Sequence, residues 1–426
     1  MTYSNRKGGE KQVAYTKEEK SWIFQDWANS AYSIMITTAI LPIYFKGVAA
    51  NAGIAATTST AYWGYANSIG TLLISLLAPI LGTIADYQFF KKRFFGVFTA
   101  IGIAFTFLLI FIPTDAWLLL LGFYVLSLIG FSGANIFYDA FLIDVTTNDR
   151  MDKVSSAGYA FGYLGSCIPF IIFIIFQATG ILPISDVALV NIGFIMTALW
   201  WLFFSIPMWK NVQQIHYIPA VKNPVKTSFK RLFHTISHIS EHKNIVIFLI
   251  AYFFYIDGVD TIFRMATSYG IDLGISQTTL ILILLMTQLV AFPFTLLYGY
   301  LAKQFSAKPL IFTAIFVYII ICVYAVFMKT ALDFWILAML VGTSQGGIQA
   351  LSRSFFGKII PKNRSNEFYG FYNIFGKFSA IIGPALMGII TQMTGKTQYG
   401  VASLIVLFLV GGIMFLFVKE KNLENL

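Results

Sequence analysis

The sequence predicts an all-α membrane protein of twelve transmembrane helices, arranged as two pseudo-symmetric bundles of six. Three observations carry that expectation. Apolar residues make up 58% of the 426-residue chain and charged residues 11%, against about 45–50% and about 25% in soluble domains. Twelve apolar runs are each long enough to cross a bilayer. Segments of the first half recur in the second at an offset close to half the chain length.

A membrane-spanning helix needs about 20 predominantly apolar residues. Such runs fall at 22–46, 62–85, 94–113, 117–140, 154–178 and 188–209, and again at 244–270, 278–301, 309–328, 332–356, 366–392 and 398–418. They divide the chain into a tail 1–21, a six-helix unit 22–209, a basic linker 210–243, a second six-helix unit 244–418 and a tail 419–426. The first run is too long for the apolar core of a secretory signal, and no cleavage site precedes it, so it is expected to stay as a membrane helix.

Orientation follows from lysine and arginine, which accumulate on the cytoplasmic side. Of 29 such residues, Lys46, Lys329 and Lys396 fall in one set of loops, and Arg264, Arg353 and Lys377 fall inside spans. The others lie in the tails, the linker and the alternate loops. Both termini are therefore expected in the cytoplasm, with the protein in the cell (plasma) membrane. The net charge of +10 is spread over segments beside lipid headgroups, so anionic lipid is the expected counter-charge and nucleic acid is not an expected partner. Cys167 and Cys322 sit in apolar runs and read as small core hydrophobes. The four histidines, His216, His234, His238 and His242, fall in the linker with no accompanying carboxylate set, which predicts a solvated segment without a metal. No cofactor is expected.

The repeat is legible in two comparisons. At an offset of 217, Gly82, Ala85 and Lys91 match Gly299, Ala302 and Lys308. At 214, Phe141, Arg150 and Gly162 match Phe355, Arg364 and Gly376, with amides at Asn135 and Gln349. The first helices of the two halves align with Asn29 facing Asp257. Two-fold internal repeats are characteristic of transporters whose substrate site lies between the halves near the bilayer midplane.

The stretch Gly82-x-x-x-Asp86-x-x-x-x-Lys91-Lys92-Arg93 resembles the loop motif of the major facilitator superfamily. There it acts as a conformational latch: glycine allows close helix approach, and the carboxylate caps a helix or pairs with a base. The second-half copy has Lys303 at the carboxylate position, so only the first copy is expected to latch. Three further stretches, Asp26-Trp27-Ala28-Asn29-Ser30-Ala31-Tyr32, Gly346–Ser354 and Glu367–Lys377, resemble the vacuolar-effluxer-like family of major facilitators, in its bacterial form. That resemblance implies the major facilitator fold, alternating access, and amino acids or peptides as the first guess for cargo, since the fungal namesake exports amino acids from the vacuole.

Ionisable side chains inside a span are costly and so mark functional candidates. On the first helix Asp26, Asn29 and Tyr32 recur at i, i+3, i+6. On the seventh, Asp257, Asp260 and Arg264 recur at i, i+3, i+7, with Asp260 and Arg264 able to neutralise each other. That pairing leaves Asp257 without a local partner and makes it the proton-coupling candidate. Gln349 and Arg353 share a face of the tenth helix, where Arg353 either clamps cargo or pairs with Asp139 or Asp144. Asn373 and Lys377 share a face of the eleventh. With Asn135, these residues form the expected substrate-binding set.

No phosphate-binding loop is present, and no catalytic cluster marks an enzyme. A secondary active transporter of a small organic solute, with protons as coupling ion and a monomeric chain, is the expected function. The alternatives are an exporter of amphipathic compounds such as drugs or bile acids, a lipid flippase on the same fold, and a membrane-embedded transferase.

Overall fold

A computed structural model describes residues 14–420 except 182, 220, 238, 273 and 379–381. Twelve helices are long and apolar enough to cross a membrane. Spans one to six are Lys17–Asn51, Tyr62–Ala85, Phe90–Phe111, Trp117–Ala140, Met151–Thr179 and Asp186–Asn211. Spans seven to twelve are Lys243–Ala266, Thr278–Phe305, Ala307–Phe327, Ala331–Ile359, Lys362–Thr394 and Thr397–Leu416. Every expected run is found, most with ends within a few residues, because a bilayer-length apolar run has no other low-energy way to satisfy its backbone. Twelve crossings return the chain to the face on which it began, here termed the terminal face. The 6–7 linker lies on that face too.

Local chemistry sets the helix ends. Span one starts at a reciprocal cap in which the Thr16 hydroxyl accepts from the Glu19 amide and the Glu19 carboxylate accepts from the Thr16 amide. Thr330 and Asp333 form the same reciprocal cap on span ten, while the Ser185 and Ser276 hydroxyls accept from the amides of Ala188 and Thr279 at the starts of spans six and eight. Span one is interrupted by a π-helical stretch, Ser33–Ala39. Pro42 has no amide to offer the carbonyl of Thr38, and the Thr38 hydroxyl instead donates to the Ser33 carbonyl at 2.8 Å.

The linker is the main departure from expectation. It is not a solvated loop throughout. Its first part runs extended beside the span 2–3 turn, with Ile218 donating to the Asp86 carbonyl at 2.8 Å and accepting from Gln88 at 3.2 Å. A helix, Pro224–Ser237, then packs along span two. Proline at a helix start is favoured because its missing amide has no partner there.

The two halves meet along four main seams: span eleven with both two and four, and span five with both eight and ten. The 2–11 and 5–8 seams are equivalent under the sequence repeat. Its matched glycines are what let them close. A methyl group on Gly82 would lie 2.3 Å from the carbonyl oxygen of Asn366, and one on Gly299 would lie 2.6 Å from Cβ of Ser156. Gly82→Val is therefore expected to part the terminal face. Distances between spin labels at the terminal ends of spans two and eleven should lengthen, and an unchanged distribution would refute this packing.

Candidate functional site

Three clusters on the terminal face join the halves. The first is the loop motif. Asp86 caps span two, and one of its carboxylate oxygens accepts from the backbone amide of Asn366 at 2.9 Å and its side-chain amide at 3.0 Å. These are donors at the start of the span-eleven helix Ser365–Phe378, whose first amides lack intrahelical partners. The other oxygen accepts from Arg231 of the linker helix at 2.9 Å, and the same guanidinium nitrogen donates to Glu367 at 2.9 Å. Glu367 also accepts from Thr235 at 2.6 Å and Arg364 at 2.8 Å, and Arg364 donates to Thr235 as well. Both acids are fully buried. Burial, opposed by Arg231 and reinforced by the neighbouring Glu367, pushes the Asp86 carboxyl up to about 7.

The basic residues of the motif do not serve Asp86 as expected. Lys91 is buried and turns to Asp144 at 2.6 Å, with Ser365 of the other half at 3.1 Å. Asp144 also holds the linker, accepting from the amides of Ile215 at 3.1 Å and His216 at 2.8 Å, with the His216 ring 3.0 Å away. Burial works against its charge, but Lys91 and His216 outweigh that and hold its carboxyl below the usual range. Lys92 and Arg93 form no hydrogen bond or ion pair among the described residues; they stand on the outer side of span three. His234 lies on the linker helix, His242 packs against Phe368, and His238 lies outside the described residues. No group of metal-ligating side chains forms among the described residues.

The second cluster is built on Asp152 of span five, which takes Ser354 at 2.6 Å and Lys358 at 2.5 Å from span ten.

The third centres on Arg353, 2% exposed. It donates to Asp139 at 3.1 Å, Asp26 at 3.4 Å, and the hydroxyl and carbonyl of Ser155 at 3.0 Å each. Its guanidinium lies over the rings of Tyr159 (4.1 Å), Trp22 (4.6 Å) and Tyr138 (5.5 Å). Of the two acids expected as partners, Asp139 pairs with it and Asp144 does not. Asp26, expected on the cargo path, and Arg353, expected either to clamp cargo or to pair with an acid, are committed to each other, since buried charges without partners are too costly to keep. Asn373 closes the group, donating to Asp139 at 3.4 Å.

Tyr32 also departs from expectation. It is fully buried inside the first half, bonded to Ser127 at 2.7 Å and stacked on Phe131. Six residues advance a helix by about 600°, so i and i+6 stand about 120° apart rather than on one face. Asn29 stays on the inner side, donating to Asn135 at 2.5 Å.

Asp257 is not without a partner. It is wholly buried, and accepts from the Gly383 amide at 2.8 Å and the Thr261 hydroxyl at 3.2 Å. Gly383 lies in the first turn of Ile382–Thr394, the second helix of span eleven, so Asp257 satisfies a helix N-terminus. Asp260 and Arg264 form no ion pair among the described residues. Asp260 is half-buried and Arg264 exposed. Arg264 is near enough to act electrostatically on Tyr124 of span four, on Asp257 and Asp260, and on half-buried Lys377 of span eleven. Gln349 accepts from Tyr163 of span five at 2.8 Å.

These contacts are one-sided. Every side-chain hydrogen bond between the halves among the described residues lies on the terminal side of the midplane, the Gln349–Tyr163 bond being deepest. Asp260, Arg264 and Lys377 stand beyond it, where the seams are unsealed.

Residues 15–149 and 144–425 match the family described as vacuole effluxer Atg22 like. The chain belongs to that family. It is 54% identical over 411 residues to the uncharacterised MFS-type transporter YxiO of Bacillus subtilis strain 168, covering 96% of both chains. It is 25% identical to autophagy-related protein 22 of Kluyveromyces lactis over 388 residues, covering 81% of this chain and 77% of the relative. The fold is that of the proton:xylose symporter XylE, with a TM-score of 0.74 over 95% of this chain and 96% of that one at 10% identity. The protein is thus a multi-pass major facilitator transporter and not an enzyme.

Sequence reasoning missed Arg231, Thr235, Asp152, Lys358, and Glu367 as a paired acid. The linker helix had a signal: proline at its start, then Ser228, Leu232 and Thr235 spaced to bury one face.

Two outcomes are expected. Arg353→Met leaves two buried carboxylates unpaired and should cost about 3–5 kcal/mol, seen as a lower melting temperature. The triple variant with Asp26→Asn and Asp139→Asn should recover much of that loss, and no recovery would count against the pairing. For the latch, a carboxyl raised in the closed state binds protons there that the opened state, near the ordinary value of about 4, does not. Closure is therefore favoured fully below about 4 and loses that advantage as pH rises through about 7. Label distances across the 2–11 seam should show this, and Asp86→Asn should abolish the dependence.

Proposed function

We propose that the chain exports small zwitterionic solutes of the amino-acid or peptide class across the cell (plasma) membrane, by alternating access, driven by protons. Both termini lie in the cytoplasm on this reading, in keeping with the lysine and arginine bias, and one chain suffices because it carries both halves. One observation carries the cargo class. Arg264 and Lys377, neither in an ion pair among the described residues, share the unsealed side with Asp260. Two cations offer a site for a carboxylate, and Asp260 one for an amine. Inside a span, such unneutralised charge calls for a compensating ligand. Asn29, Asn135, Gln349 and Asn373 supply neutral donors and acceptors below them. The family's description as effluxers supports the outward direction.

Asp257 is the coupling group on this reading. Ionised, it holds the Gly383 amide and with it the second helix of span eleven. Protonated, it loses most of its hold on a helix N-terminus, freeing that helix to close over cargo. Proton arrival and gate movement then share one contact.

A second reading, amphipathic cargo, is favoured by an apolar recess between spans seven, eight and ten. Ile262, Phe263, Leu280 and Phe334 line it, one and two residues from Arg264 on span seven. Thermal stabilisation of the purified protein separates the two, since a ligand binding only the folded state raises the melting temperature. Amino acids or dipeptides should stabilise the protein, and Arg264→Gln or Lys377→Gln should weaken that at least tenfold. Stabilisation by bile acids or drugs alone would favour the second reading. In proteoliposomes, Asp257→Asn should bind cargo yet lose pH-gradient drive; retained drive refutes the coupling role.

A further inference from the structure

The linker helix Pro224–Ser237 lies outside the twelve spans, yet it exposes Val225, Phe229 and Phe233. Residues advance about 100° each around a helix, which sorts its side chains into three faces. Ser228, Leu232 and Thr235 are buried, and with Arg231 they form the face packed toward span two. Val225, Phe229 and Phe233, four residues apart, form a second face about a quarter to a third of a turn away. Lys226 and Lys230 form a third, beyond the apolar one, with Lys222 just before the helix; all three lysines are exposed. None of them is in an ion pair among the described residues.

A helix with only a protein face and a water face would not need the apolar one. An apolar face between a protein face and a basic face fits a helix resting against the protein's flank at the bilayer surface. Its phenylalanines then enter the acyl boundary while its lysines stand among headgroups. We propose that Pro224–Ser237 is an in-plane helix that binds anionic phospholipid headgroups through Lys222, Lys226 and Lys230. The occupant is the protein's own bilayer: three like charges select anionic lipid, and the aromatic stripe requires acyl chains that a soluble anion lacks. The lipid-bound helix is the one that sends Arg231 and Thr235 to Asp86 and Glu367. Separating spans two and eleven must break at least one of these contacts or shift the helix on the surface, so anionic lipid bears on the terminal gate.

The test uses the full chain in nanodiscs, with Phe233→Cys carrying an environment-sensitive fluorophore; the native cysteines are buried and do not compete. The label's emission should shift to the blue and be quenched by brominated lipid, more strongly when phosphatidylglycerol is added to phosphatidylcholine. Lys222→Gln, Lys226→Gln and Lys230→Gln should each lower the apparent affinity for phosphatidylglycerol about fivefold. Phe229→Cys reads the same face if a label at 233 disturbs folding. A water-like spectrum untouched by brominated lipid at both positions overturns the proposal. So does an undiminished phosphatidylglycerol response in the triple lysine variant, or glycerol phosphate reproducing the effect. No cargo is present in any of these measurements, so a failed search for amino-acid cargo leaves the result standing.

Discussion

A charge buried between two halves of a membrane protein must be matched by the opposite charge, or the halves will not stay together. Arg353 meets that constraint for the terminal side of this transporter. Its donors reach spans one, four and five at once, through Asp26, Asp139 and Ser155, and three aromatic rings exclude water around it. In such surroundings the electrostatic attraction is far stronger than in water. Losing either side leaves an uncompensated charge, so the contact is made or broken as a unit. The Asp152–Lys358 pair and the Asp86–Arg231–Glu367 group repeat the logic nearer the surface. Together they tie the terminal ends of the two halves to each other.

The consequence for transport is geometric. With the terminal side closed by paired charge, Arg264 and Lys377, which form no ion pair among the described residues, stand beyond the deepest hydrogen bond between the halves. Asp257 sits between these regions, holding the start of a helix in the opposite part of span eleven. Spans seven and eleven therefore carry both the candidate cargo contacts and the contact that would link proton binding to movement. The linker adds a third participant, since Arg231 bonds to an acid from each half.

The motif residues show how local chemistry and tertiary context divide the work. Asp86 does what a carboxylate after a glycine-containing turn suggests: it satisfies a helix N-terminus and an arginine. The donors come from span eleven and the linker, more than a hundred residues away. Nothing in the loop itself names them. Lys91 has the same residue type and spacing as a latch cation, yet it is directed to Asp144, because the first turn of span three points it into the bundle. Tyr32 left the cavity face because its spacing from Asp26 turns it about a third of the way round the helix.

The sequence by itself determined the twelve spans, their direction of return and the two-fold repeat. Each is a one-dimensional property: hydrocarbon thickness sets run length, and parity sets the face on which the chain ends. Repeated residues mark repeated structure, as Gly82 and Gly299 show at equivalent seams. Tertiary structure alone decided which intramembrane charges are spent on each other and which form no ion pair among the described residues. Pairing depends on which helices come within about 4 Å, and neither spacing nor composition encodes that distance. Asp26, Asp257 and Asp260 look alike in the sequence. One is neutralised by Arg353, one caps a half-helix, and one stands on the open side beside Arg264.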